Sequence, residues 1–196
     1  MATRSPGTPG TPGVPSAPGT PEPFDALLLS RGDLASFTSL LALRRPDLAL
    51  VAPVSDDPAA LRIIRRQADL AGARVVDETI PLATDDFAET RLLLDACAAC
   101  RAHGCARVVW PVFCAGAVDP IALALDRARL VSTAAALDAR PRGVPIDTPV
   151  LDLTEAQLAD LAVDVGVPTQ SGWLTGDEGR WGGLLRAAES RRRQPA

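Results

Sequence analysis

The chain has 196 residues, a formal charge of −4 and a sequence pI of about 5.0. That length suits one compact domain, and a 47% hydrophobic content lets it bury a sizeable core. The acidic balance excludes the basic footprint of a general nucleic-acid binder, and no apolar run is long enough to span a bilayer.

The N-terminal residues lack the charged-then-apolar order of a secretory signal, so a cytoplasmic protein is expected. Its four cysteines then fit reduced thiols better than a disulfide frame. Residues 1–23, MATRSPGTPGTPGVPSAPGTPEP, are mostly Pro, Gly, Thr and Ser and have almost nothing to bury. Such a segment cannot offset its ordering entropy, and a disordered, locally extended arm is expected. Docking of a protein partner is its candidate role.

From Phe24 the chain alternates apolar strands with amphipathic helices, and residues 24–190 form the expected single domain. Strand one is DALLLS (Asp25–Ser30), followed by a helix to about Leu43. Strand two is LALVAPV (Leu48–Val54). A helix follows over Asp57–Gly72, with Leu61, Ile64, Ala68 and Ala71 on one face. Strand three is ARVVDETI (Ala73–Ile80), and a long helix covers Asp85–Gly104. Strand four is ARVVWPVF (Ala106–Phe113), with a helix over Asp119–Leu137. Strand five is extended over Gly143–Asp152, and Thr154 caps a last helix that Gly166 stops. Residues 191–196, with Arg191, Arg192 and Arg193, read as a solvated basic tail.

This alternation predicts an α/β fold: a five-stranded, mostly parallel Rossmann-like sheet with helices on both faces. Ligands of such sheets sit at the carboxyl ends of the strands, near a switch in strand order. That directs attention to Ser30–Ser36, Val54–Asp57 and Phe113–Asp119.

The first of these, SRGDLAS, is a strand-to-helix turn. Backbone N–H groups and the helix dipole favour an anion at such a place. Ser30, Gly32 and Ser36 are the candidate cradle residues. Arg31 is an obstacle if its position needs a left-handed backbone, where a side chain costs on the order of 1–2 kcal/mol. Its guanidinium is also a candidate phosphate ligand. Asp33 suits a helix cap or a metal, and the plain reading of the turn is a strand–helix connection capped by Asp33.

The loop resembles the pyrophosphatase loop of ATP-pyrophosphatase-type enzymes, Ser-Gly-Gly-x-Asp-Ser followed by Ser or Thr. From about Asp25 to Arg186 the chain is similar to one family of that group, the 7-cyano-7-deazaguanine synthases of queuosine biosynthesis, as a divergent member. Ser30, Gly32 and Ser36 match the loop; Arg31 replaces the first glycine, and Asp33 is displaced by one place. In VFCAGAVDPIALALDRA, Gly116 and Asp119 match the segment after strand four, and Asp126 falls near a second aspartate. Thr148 and Pro149 match a Thr-Pro-Leu segment, but the family's lysine falls on Glu155 and its acidic neighbour on Gln157. An anion at Glu155 would repel a phosphate.

The family's zinc knuckle runs from Thr-Trp-Ser-Cys to Cys-x-x-Cys-x-x-Arg. Here Thr169, Ser171 and Arg186 match, while the cysteines fall on Gly172, Asp177, Arg180 and Gly183. A structural zinc site needs about four such ligands, so no zinc is expected, and packing of Trp173 and Trp181 must hold this end together. The resemblance implies a three-layer α/β/α sandwich of the ATP-pyrophosphatase (HUP) type, with ATP and Mg as cofactors and a homodimer. It also implies an ATP-dependent carbon–nitrogen ligase that activates a 7-deazaguanine carboxylate as an adenylate and converts it with ammonia to the nitrile. The altered loop, lysine and knuckle together favour a non-catalytic or altered relative that binds a nucleotide. The reading from another class is a scaffold or interaction protein recruited through the arm.

CAACRAHGC packs Cys97, Cys100, His103 and Cys105 together. Leu93, Cys97 and Cys100 share one helix face, so core packing is the expected role; a metal half-site and a redox pair are the alternatives. Cys114 ends strand four on the ligand edge, where a site-lining thiol is the functional reading and packing the plain one. His103 offers no convincing Ser–His–Asp or Cys–His set. Asp56 and Asp57 suit a ribose contact or, more simply, the start of the next helix.

Overall fold

The strand expected first is the centre of the sheet. All five residues of β1 (Ala26–Ser30) are buried, and it pairs in parallel with β2 (Ala49–Pro53) on one side and β4 (Arg107–Val109) on the other. Ala26 lies opposite both Ala49 and Arg107. The edges are β3 (Arg74–Val75) and β5 (Ile146–Asp147), which give the order β3-β2-β1-β4-β5 with every pairing parallel. This is a Rossmann-like α/β sheet with six helices among the described residues: α1 (Leu34–Leu41), α2 (Pro58–Ala71), α3 (Ala88–Ala102), α4 (Val118–Asp138), α5 (Glu155–Asp164) and α6 (Glu178–Arg193). The computed structural model describes residues 23–80, 82–138, 143–170, 172–175 and 178–193. The expected arm (residues 1–22), Ser171, Asp177 and the end of the expected tail (194–196) lie outside the described residues.

Alternation along β1 sorts the core. Leu27 and Leu29 pack with Leu92, Leu93, Ala96 and Cys97 of α3 and with Ala124 and Val131 of α4. Ala26 and Leu28 point the other way, onto Leu40 of α1 and Ile64 and Ala68 of α2. Beyond α1, Leu34 and Phe37 join Leu158, Ala162 and Val163 of α5 and Leu185 and Ala188 of α6 in a third cluster. Helix α1 is thus buried nearly all round, Ser36, Thr38 and Ser39 included, because it is covered on both sides.

Both edge strands are shorter than the sequence predicts, and local chemistry accounts for it. Val76 N–H still reaches Val51 O (2.9 Å), but Asp77 and Glu78 are exposed and turn the chain away before Ile80 N–H meets Pro53 O (2.9 Å). Strand β5 lies between Pro145 and Pro149, neither of which has an N–H to give a ladder. The cap assignments agree with the structure. Asp57 accepts from Ala59 and Ala60 N–H, and Thr154 forms a reciprocal capping box with Gln157.

The chain after 178 departs from expectation. Arg191–Arg193 are not a free tail; they are the last turn of α6. Arg191 pairs with Asp160 at 2.6 Å, and Arg192 donates to Val163 O at 2.9 Å, so both lie along α5. Gly179, Gly182 and Gly183 depress the local helix propensity, and burial of Leu185 and Ala188 against α5 overrides it.

One buried polar side chain ties three of these parts together. Gln67 on α2, 2% exposed, donates from Nε2 to Gly32 O (2.9 Å) and to Trp173 O (2.6 Å). Its neighbour Arg66 lies 3.8 Å from the centre of the Trp173 ring, which stacks on Phe37 at 5.8 Å. Replacing Gln67 by Leu takes the side-chain donor from Trp173 O and leaves Gly32 O with Thr175 N–H alone, and Gln67→Leu is expected to lose about 1–3 kcal/mol in urea unfolding. Exposed Arg62→Leu on the same helix should stay within about 0.5 kcal/mol.

Candidate functional site

A cleft of about 380 Å³ opens at the carboxyl ends of β1 and β4, where the strand order switches direction around β1. Its walls come from four parts of the chain. The β1–α1 loop contributes Arg31, Asp33 and Ser36; the end of β4 contributes Trp110, Phe113 and Cys114. Helices α3 and α4 bring Glu89 and Arg127, and α6 brings Trp181. Phe113 and Trp181 meet edge to face at 5.9 Å, which fixes one aromatic corner.

The loop satisfies its own polar groups. Ser30 and Ser36 are buried, and their hydroxyls accept from Gly32 N–H (3.2 Å) and Arg31 N–H (3.2 Å). Asp33 is the N-cap of α1 and accepts from Ser36 N–H at 2.8 Å. Leu34 and Ala35 line the cleft, and their N–H groups, first in the helix, have no intrahelical acceptor. The left-handed position falls on Gly32 at φ +74°, not on Arg31, so the strain considered for Arg31 does not arise. A Cβ on Gly32 would stand 2.9 Å from Thr175 Cγ2 and 3.2 Å from Ile64 Cγ1. The glycine is therefore needed for packing behind the loop. Arg31 itself is exposed, with its side chain on the cleft wall.

The other carbonyls of the loop also face backwards. Thr175 donates from Oγ1 to Arg31 O (2.7 Å) and from N–H to Gly32 O (2.9 Å). Packing of Trp173 and Trp181, the expected source of order at this end, is what the structure shows, on Phe37 and Phe113 respectively. Glu155, the anion expected to repel a phosphate, forms an ion pair with Arg180.

Gly116 and Asp119 lie beside the cleft, exposed, and are not among the residues that line it. Asp56 is exposed as well. Several lining groups carried no sequence signal of their own. Trp110 is visible only as part of an apolar strand. Glu89 and Arg127 are 38 residues apart and meet as a hydrogen-bonded ion pair in the fold. Ala115 is the one non-glycine residue with positive φ among the described residues, at +51°, and it turns the chain directly after Cys114.

Burial, and then the negative charge of Glu89, push the Cys114 thiol up from its ordinary range. At neutral pH it is a protonated, weakly nucleophilic group that lines the cleft. Cys97 and Cys100 are buried in the core as expected, and His103 ends α3 just before β4 begins, at the end of the strands away from the cleft. Among the described residues no set of three or more His, Cys, Asp or Glu is placed to hold a metal ion. Nor is any described helix long and apolar enough to cross a membrane.

The electrostatics at Cys114 are testable through its reactivity. Glu89→Gln removes the anion that holds the thiol pKa up. The thiolate fraction at pH 7.5 rises, and alkylation of Cys114 by iodoacetamide, read by peptide mass spectrometry, is expected to quicken about two- to fivefold. An unchanged rate means that Glu89 does not act on the thiol. Compared with protein-family models and with curated proteins, the chain matches none of them.

Proposed function

We propose that this protein is a divergent, non-catalytic relative of the 7-cyano-7-deazaguanine synthases. In this reading it has a three-layer α/β/α arrangement of the ATP-pyrophosphatase (HUP) type and keeps a nucleotide-sized binding cleft. The observation that carries the reading is the cleft at the switch point: aromatic side chains on its walls, and Arg31 with the start of α1 at one end. Trp110, Phe113 and Trp181 suit a planar heterocycle, and the guanidinium of Arg31 with the Leu34 and Ala35 N–H groups suits an anionic substituent. ATP is the first ligand to test, with Mg accompanying the phosphates.

The same geometry argues against adenylation. Phosphoryl and adenylyl transfer depend on many placed donors around the phosphates. Here the hydroxyls of Ser30 and Ser36 and the carboxylate of Asp33 are engaged by the loop's own N–H groups. Asp33 as a helix cap is taken up by Ser36, and Gly116 and Asp119 stand outside the lining.

Calorimetric titration with ATP and Mg, beside an Arg31→Gly variant, tests the proposal. Micromolar binding by the natural protein, a change in Trp fluorescence and no release of pyrophosphate are the expected results. Binding only by Arg31→Gly would mean that Arg31 closes the cleft. Binding by neither overturns the nucleotide reading.

A scaffold reading is favoured by one further observation. Leu123, Leu130 and Leu137 recur at heptad spacing on α4 and are 58%, 68% and 84% exposed. Under that reading, deletion of residues 1–23 abolishes capture of a partner; under the nucleotide reading it leaves ligand affinity intact.

A further inference from the structure

We propose that Cys100 and Cys105 are a redox modification site, converted by a peroxide into a disulfide across the end of α3. The pairing differs from the C-x-x-C half-site suggested by Cys97 and Cys100, both of which project from the helix into the core. It is produced by the way the helix stops. His103 closes α3, and Gly104 then takes a left-handed φ of +71°, with open space around the position of a Cβ. The chain doubles back, and Cys105 N–H donates to Cys100 O at 2.8 Å. This six-residue closure is the Schellman type of helix end, and it brings the first and last residues side by side.

The side chains follow the backbone. Cys100 Sγ–H donates to Cys105 O at 3.3 Å, which sets the Cys100 sulfur against the Cys105 residue. With the two backbones already hydrogen-bonded and the Cys100 sulfur against the Cys105 carbonyl, side-chain rotation suffices to bring the two sulfurs together. The pair is also asymmetric in access: Cys105 is half-buried, whereas Cys100 is fully buried. The hydrogen bond from Cys100 draws the Cys105 thiol below its ordinary range, and that same bond with burial pushes Cys100 up. An oxidant from solvent therefore meets the more acidic thiol first.

The chemistry balances with a peroxide as oxidant. The Cys105 thiolate attacks one peroxide oxygen; the O–O bond breaks, hydroxide leaves, and a sulfenic acid forms on Cys105. Cys100 then attacks the Cys105 sulfur. The S–S bond forms as the S–O bond breaks, and the Cys100 proton leaves with the hydroxide as water. Two thiols are oxidised by two electrons, and one peroxide is reduced to two waters.

The test uses the full chain and hydrogen peroxide. The intact mass is expected to fall by about 2 Da, and thiols titrated in the unfolded chain fall from four to about two. Peptide mapping should join Cys100 to Cys105, and dithiothreitol should reverse the change. Cys97→Ser should cross-link like the natural chain. Cys100→Ser should instead keep a sulfenic acid at Cys105 that dimedone traps. A link between Cys97 and Cys100, a link between two chains, or oxidation that stops at Cys105 in the natural protein would each overturn the proposal. Because the natural chain carries the decisive mapping, a variant that fails to fold leaves the test intact.

Discussion

The shape of the site rests on the carbonyl of Gly32. It accepts from the Gln67 side chain and from Thr175 N–H, so α2 and the segment 172–175 both hold the first loop from behind. These groups are buried or nearly so, and a buried carbonyl left unpaired costs about 1–3 kcal/mol. The loop is therefore fixed by a polar requirement as well as by packing. Its left-handed glycine, the direction of α1 and the exposure of Arg31 all follow from that closure.

The closure has a chemical consequence at the front of the loop. A turn whose backbone N–H groups pointed outward would offer them to an anion. In this turn the N–H groups of Arg31, Gly32 and Ser36 bond to side chains within the loop itself. What stays available is one guanidinium and the first N–H groups of α1. The cleft thus has aromatic walls and a weak cationic end. Its acid–base groups are also muted, since Glu89 is paired with Arg127 and the Cys114 thiol is held protonated.

How much of this could be read from the sequence depends on the range of the interaction. Strand one was visible because five consecutive positions are buried on both faces, which leaves a continuous apolar run. Asp57 and Thr154 were readable as caps because a cap acts within three residues. Topology alone directs attention to the turn at Ser30–Ser36, and Arg31, Asp33 and Ser36 border the cleft. Helix α6 escaped notice because three glycines mask a helix that tertiary burial stabilises. The Glu89–Arg127 pair, the Gln67 bridge and the approach of Trp181 to Phe113 join residues far apart in the chain. No local pattern encodes such meetings. The contact between Cys100 and Cys105 is an intermediate case: the spacing is short, but the C-x-x-C pattern beside it suggested a different pairing.

The order in which the chain is made gives the Gly32 closure a further meaning. The loop lies near the N-terminal end of the domain, yet Thr175, which donates to both Arg31 O and Gly32 O, is 144 residues later than Arg31. Trp181, one wall of the cleft, comes later still. During synthesis β1, β2 and α2 emerge together and can pair early, because their contacts are close in sequence. The back of the loop stays open until the region around Thr175 has left the ribosome. A nascent chain can therefore hold most of its sheet and still lack its cleft, whose walls are completed only near the end of translation.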